Sequence, residues 1–99
     1  MAVGVLIAMP GGTKELYESV NDALGISDGE AIDGLIVHSA GPAEDGWYVY
    51  DIWESREQFA RFAQERVGPA VEQVTGQAMA GEPQFFEISN LVLAGQTVG

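Results

Sequence analysis

Cysteine is absent from the 99-residue chain, which excludes disulfides, thiolate metal sites, iron–sulfur clusters and a cysteine nucleophile. There is a single histidine, and the scattered carboxylates show no ligand spacing, so no metal is expected. Bases are scarce: Lys and Arg number 4 against 15 Asp and Glu, a formal charge of -11. A surface of that sign repels phosphate backbones and anionic headgroups, so neither nucleic acid nor membrane is expected as a partner. The apolar run Met1 to Pro10 is too short for a bilayer and lacks a basic leader, which makes a cytoplasmic location the default expectation. What is abundant is apolar material. Hydrophobic residues make up 46% and charged residues 19%, a composition that supports one packed domain over residues 1–99 and argues against disorder.

Met1 to Pro10 predicts a strand apolar on both faces, with Val3, Val5 and Ile7 on one side and Leu6 and Ala8 on the other. Pro10-Gly11-Gly12 ends it. Thr13 is an N-cap, and Leu16, Val20, Ala23 and Leu24 follow at helical spacing before Gly25, which predicts a helix over 14–24. After the polar loop Ser27 to Glu30, a second strand is expected from Ala31 to Ala40. The turn residues Gly41 to Gly46 then lead into Trp47 to Trp53, a third strand forming a hairpin with the second. Ser55-Arg56-Glu57-Gln58 fits a capping box, with the glutamine side chain reaching back to a free N–H. The stripe Phe59, Phe62, Ala63, Val67, Ala70, Val71, Val74 continues that helix, with a break or kink expected at Gly68-Pro69. Gly76 to Glu82 reads as a linker, Pro83 to Ala94 as a fourth strand, and Gly95 to Gly99 as a tail.

The order βαββαβ predicts an α+β, ferredoxin-like fold: a four-stranded antiparallel sheet with two helices on one face. Two helices cover only one side. Strand three carries Trp47, Val49 and Trp53 on one face and Tyr48, Tyr50 and Ile52 on the other, so a monomer would expose an apolar sheet. The economical answer is a homodimer with the two sheets facing each other.

This order, together with Tyr50-Asp51-Ile52-Trp53-Glu54-Ser55 running into Gln58-Phe59, resembles the dimeric α+β barrel superfamily, in particular its antibiotic biosynthesis monooxygenase-like branch. The resemblance implies a small homodimer with a pocket between sheet and helices. Members range from cofactor-free oxygenases of aromatic polyketides to haem-degrading enzymes, isomerases, cyclases and proteins without assigned activity, so fold alone leaves the chemistry open. The haem-degrading branch places a histidine on the second helix; none lies between Ser55 and Val74, so haem is disfavoured and no cofactor is expected.

His38 is the only side chain whose ordinary pKa lies near neutrality, which makes it the natural general base. If the hairpin register sets it on the face of Asp51 and Trp53, Asp51 fixes its tautomer; a one-residue slip separates them. The alternative role of His38 is a strand histidine satisfied by a neighbouring tyrosine or backbone group. Asp51, between Tyr50 and Ile52, needs a partner, and Arg61 or Arg66 is the structural candidate beside a catalytic role. Trp53 matches the family's strand-end tryptophan, which lies beside substrate in the cofactor-free oxygenases. Tyr48, Tyr50 and Phe62 offer apolar walls for a flat ligand, and Asn90 an amide for a ligand carbonyl or a backbone group. Each of these aromatics is equally suited to plain core packing. Two functions follow. The first is a cofactor-independent monooxygenase, or a related cyclase or isomerase, acting on an aromatic or polyketide-like molecule. The second is a noncatalytic dimeric barrel that binds a small hydrophobic ligand.

Overall fold

The computed structural model describes residues 2–26, 31–78 and 82–93. The expected loop Ser27 to Glu30, part of the expected linker and the expected tail lie outside them. Four strands form one antiparallel sheet: β1 (Val3–Pro10), β2 (Leu35–Ala43), β3 (Gly46–Trp53) and β4 (Gln84–Glu87), in the order β2-β3-β1-β4. This is the ferredoxin-like arrangement that the βαββαβ order predicts.

Helix α1 (Lys14–Leu24) starts where Thr13 accepts a hydrogen bond from the Leu16 N–H and ends at Gly25, whose φ of 71° is the left-handed conformation of a C-terminal glycine. Its half-buried stripe, Leu16, Tyr17, Val20, Ala23 and Leu24, faces inward. The second helical stretch is α2 (Arg56–Phe62), a π-helical segment (Ala63–Val67) and α3 (Gly68–Thr75), without interruption. Ser55 caps it by accepting from the Gln58 N–H at 3.2 Å. The Gln58 side chain departs from the expected box: its Oε1 accepts from Ser55 Oγ at 2.9 Å, and its Nε2 donates to Asp33 at 3.4 Å. The break expected at Pro69 is replaced by a widened turn. The Gly68 N–H reaches back five residues to the Ala63 carbonyl, which lets the chain pass a residue with no N–H to give while staying helical.

Cross-strand pairing sets which side chains share a face. Val3 pairs with Trp53, Val5 with Asp51 and Ile7 with Val49, and this face meets the helices. Val3, Val5, Ile7, Trp53 and Phe59 form the buried core, with Phe62, Leu35 and Phe85 packed against it. Phe59 and Phe62 lie 5.7 and 5.5 Å from the Trp53 ring, so the indole is sandwiched between strand and helix. The other face, with Leu6, Tyr48, Tyr50, Ile52 and Val37, carries no helix.

Three boundaries differ from those expected: β2 starts at Leu35, four residues later than Ala31, after a turn at Asp33-Gly34. The hairpin is tighter, since pairing runs to Ala43 and Gly46 and leaves only Glu44 and Asp45 at the turn. The fourth strand is shorter: the last ladder pair is Val3 with Glu87, and one further backbone hydrogen bond, from the Ile88 N–H to the Ala2 carbonyl at 3.1 Å, ends the pairing. One irregularity matters for the site: β2 bulges between Leu35 and Val37, so Leu35 pairs with Trp53 while Val37 pairs with Ile52. Among the described residues, no helix is long and apolar enough to cross a membrane.

Candidate active site

Asp51 is the one buried charged or polar residue among those described, with 7% of its surface exposed. A carboxylate in that position requires donors. It has two, both on its own face of the sheet. His38 lies directly across the ladder, and its Nδ1 donates to Asp51 Oδ1 at 2.7 Å. The Trp53 indole Nε1–H, two residues along β3, donates to Asp51 Oδ2 at 3.2 Å. Each carboxylate oxygen is therefore held separately, one by the base and one by the core.

The arginines proposed as partners of Asp51 are elsewhere. Arg66 donates to the Leu24 carbonyl at 3.0 Å, tying the second helical stretch to the end of α1. Arg61 borders a surface cleft of about 200 Å³ shared with Asp33, Gln58, Phe62 and Glu65. The reason is local: β2 and β3 are adjacent, and the histidine directly across the ladder meets the carboxylate at hydrogen-bond distance.

With Nδ1 committed to a carboxylate that can only accept, the neutral imidazole carries its lone pair on Nε2. A residue absent from the sequence reading meets that atom: Tyr17 of α1, whose hydroxyl lies 2.5 Å from His38 Nε2. The two rings are nearly parallel, with 10° between planes, and Trp47 packs against Tyr17 at 5.3 Å between ring centroids. The Trp47 Nε1–H has no hydrogen-bond partner and is the only such buried side-chain atom among the described residues. The signal for Tyr17 was its spacing, three and seven residues before Val20 and Leu24, which sets it on the inward stripe of α1.

The other candidates separate. Phe62 contacts Trp53 on the same side as His38 and Asp51. Tyr48 and Tyr50 stand on the opposite face, where the Tyr48 ring covers Gly41 and the Tyr50 hydroxyl covers Gly4. A Cβ at Gly4 would come within 2.6 Å of that oxygen, so the glycine is what lets the tyrosine lie flat on the sheet. Asn90, expected on the fourth strand beside Phe86 and Ile88, lies beyond the end of β4 and is exposed. Ser39 also faces away from His38 and donates to the Tyr50 carbonyl at 2.6 Å. No group of three or more His, Cys, Asp or Glu among the described residues is placed to hold a metal ion.

The hydrogen bond from Asp51 raises the pKa of His38 above its ordinary 6.5; partial burial opposes this, and the charge of Asp51 adds to it. The stability this contributes is complete below the pH at which histidine titrates in the unfolded chain. It is lost as pH rises through the higher folded-state value. The urea midpoint should therefore fall with rising pH across the neutral range, and the step should vanish in His38→Gln. A midpoint that does not move with pH would contradict the pairing. No other histidine exists to blur the assignment.

No family profile matches the chain, and no curated protein matches it in sequence. Solved structures do. A protein of Chloroflexus aurantiacus assigned provisionally as an antibiotic biosynthesis monooxygenase aligns over 96% of this chain and 100% of its own, with 14% identity and a TM-score of 0.64. SnoaB, a cofactor-independent oxygenase from Streptomyces nogalater, aligns over 92% and 95% with 15% identity and a TM-score of 0.55. A monooxygenase of Streptomyces coelicolor from the gene ActVA-Orf6, solved with nanaomycin D, aligns over 93% and 90% with 18% identity and a TM-score of 0.58. At these identities the likeness is one of fold: the chain has the architecture of the antibiotic biosynthesis monooxygenase-like proteins.

Proposed function

We propose that this chain is a cofactor-independent oxygenase, or a related proton-abstracting cyclase or isomerase, acting on a hydroxylated aromatic or polyketide-like molecule. The observation that carries the reading is the His38–Asp51 pair, an imidazole oriented by a buried carboxylate that is itself fixed by Trp53. Such an arrangement increases the basicity of Nε2 and stabilises the imidazolium formed on proton uptake. Two solved structures with this fold are named as oxygenases, which supports the reaction class.

The chemistry requires only proton transfer and dioxygen. Loss of a proton from an activated CH2 leaves a carbanion; carbon bonds to O2 to give a peroxide anion, which regains the proton. Loss of water then leaves a carbonyl, so one CH2 and one O2 become one C=O and one H2O. His38 takes and returns the proton, and Trp53, 1% exposed, acts from behind by fixing Asp51.

The reading includes a homodimer. Leu6, Tyr48, Tyr50, Ile52 and Val37 form an apolar face with no helix over it, and Phe86 beside it is 45% exposed. A second copy facing it would bury both sheets. Native mass spectrometry should show twice the chain mass, and oxygen uptake should accompany conversion of hydroxylated naphthalenes or anthrones. A monomer would remove the dimer. Saturable binding with no oxygen uptake and no product would favour a noncatalytic binding protein.

A further inference from the structure

The free nitrogen of this base is engaged. The hydroxyl of Tyr17 occupies His38 Nε2 at 2.5 Å, the one ring nitrogen left after Asp51 takes Nδ1. Since Asp51 accepts from Nδ1, Nε2 of the neutral ring is an acceptor, and the Tyr17 O–H is the donor. The lone pairs of the Tyr17 oxygen are then turned away from the ring. Tyr17 is half-buried, and Trp47 packs against its ring, so the phenol is held by contacts to both the indole and the imidazole.

We propose that Tyr17 is the catalytic residue that meets the substrate, and that it relays the proton of an acidic phenolic or enolic hydroxyl to His38. This deepens the proposed function and rests on it. In the step, the substrate O–H bond breaks as a new O–H forms on Tyr17, and the Tyr17 O–H breaks as N–H forms on Nε2. Tyr17 ends neutral, the substrate becomes an anion and the imidazole becomes a cation beside Asp51. No electron changes hands. The geometry favours transfer through Tyr17 because the receiving nitrogen is already bonded to it at short range, with no rearrangement of α1 needed. It also narrows the substrate class: the group that enters must carry an acidic hydroxyl able to donate to a phenol oxygen.

The test uses 4-nitrophenol, whose phenolate absorbs in the visible, bound to the intact protein at a pH where the free phenol is protonated. The wild type should bind it and ionise it. Tyr17→Phe should bind it but ionise it about a hundredfold more slowly, the lower end of the range for one proton-transferring group. The His38 Nδ1–H resonance should meanwhile persist in NMR spectra as the sign of an intact pair with Asp51. Undiminished ionisation by Tyr17→Phe would overturn the relay and leave His38 in direct contact with substrate, as would a wild type that leaves the phenol protonated. If Tyr17→Phe does not fold, the wild-type rate in mixtures of H2O and D2O decides: two protons in flight give a curved dependence on deuterium fraction, and a straight line overturns the relay. Ionisation without oxygen uptake from anthrones would sink the oxygenase and keep the relay.

Discussion

Replacing His38 by Gln should lower turnover by a factor of about 10² to 10⁴, the usual contribution of a positioned general base. Glutamine keeps a polar side chain of similar reach but has no nitrogen that can take up a proton near neutral pH. The side chain of His38 is 42% exposed and lies outside the buried core, so the fold should survive the change. The loss should appear in kcat more than in KM, because the step removed is proton transfer and the walls of the site stay in place. In the wild type, activity should rise with pH through the raised pKa of His38, since the imidazolium has no free lone pair to offer. Retention of most of the activity by His38→Gln would remove the base from the mechanism while leaving the fold untouched.

The largest effect on stability is expected at Trp53. Its side chain is 1% exposed and fills the space between β1, Phe59 and Phe62. Trp53→Ala should cost about 3–5 kcal/mol, a transfer term plus a cavity that the surrounding strands can only partly close. For a chain of this length each kcal/mol lowers the melting temperature by roughly 4–8 °C, so the melting temperature should fall by at least about 12 °C. Trp53→Phe separates the two jobs of the indole. It keeps most of the ring packing and removes the donor to Asp51 Oδ2, which should cost about 1–3 kcal/mol for the carboxylate oxygen left without a partner. Urea denaturation of the three proteins checks both values. A cost below about 1 kcal/mol for Trp53→Ala would mean that the site collapses around the smaller side chain, contrary to the close packing seen around the ring.

The pattern of apolar residues specified most of the fold. Alternation in β1 and β3, the Thr13 and Gly25 caps and the Ser55 cap all lie in local sequence, and the structure places those elements where the local signals do. The site was legible in its members but not in its geometry. Gly41 to Gly46 contains turn-forming residues over six positions, so several closures fit, and each gives His38 a different partner on β3. Only the cross-strand contacts select the two-residue turn. Tyr17 was invisible for another reason: its role depends on how α1 sits over β2, a tertiary relation that periodicity reduces to an inward direction. Asp51 gave the opposite lesson. Its cost in an aromatic strand is plain from sequence, and of the partners that the sequence offers, His38 meets the carboxylate while Arg61 and Arg66 do not; the N–H of Trp53 is the donor that sequence did not name. The strand expected from Pro83 to Ala94 shows the limit of alternation, which continues in the sequence past Glu87 while the ladder with β1 stops there.

The bulge at Ile36 gives β2 two phases. From the turn back to Val37, the strand is clocked by the hairpin, and this sets position 38 opposite Asp51. Before the bulge it is clocked by the core, which holds Leu35 against Trp53. In an uninterrupted strand one of the two would be out of step: a histidine in register with Asp51 would turn Leu35 to the bare face, and a leucine in register with Trp53 would turn His38 there. The extra residue acts as a phase shifter that uncouples anchoring from chemistry. The side chain opposite Asp51 is thereby open to exchange without retuning the interior, and one scaffold can change its reaction while keeping its frame.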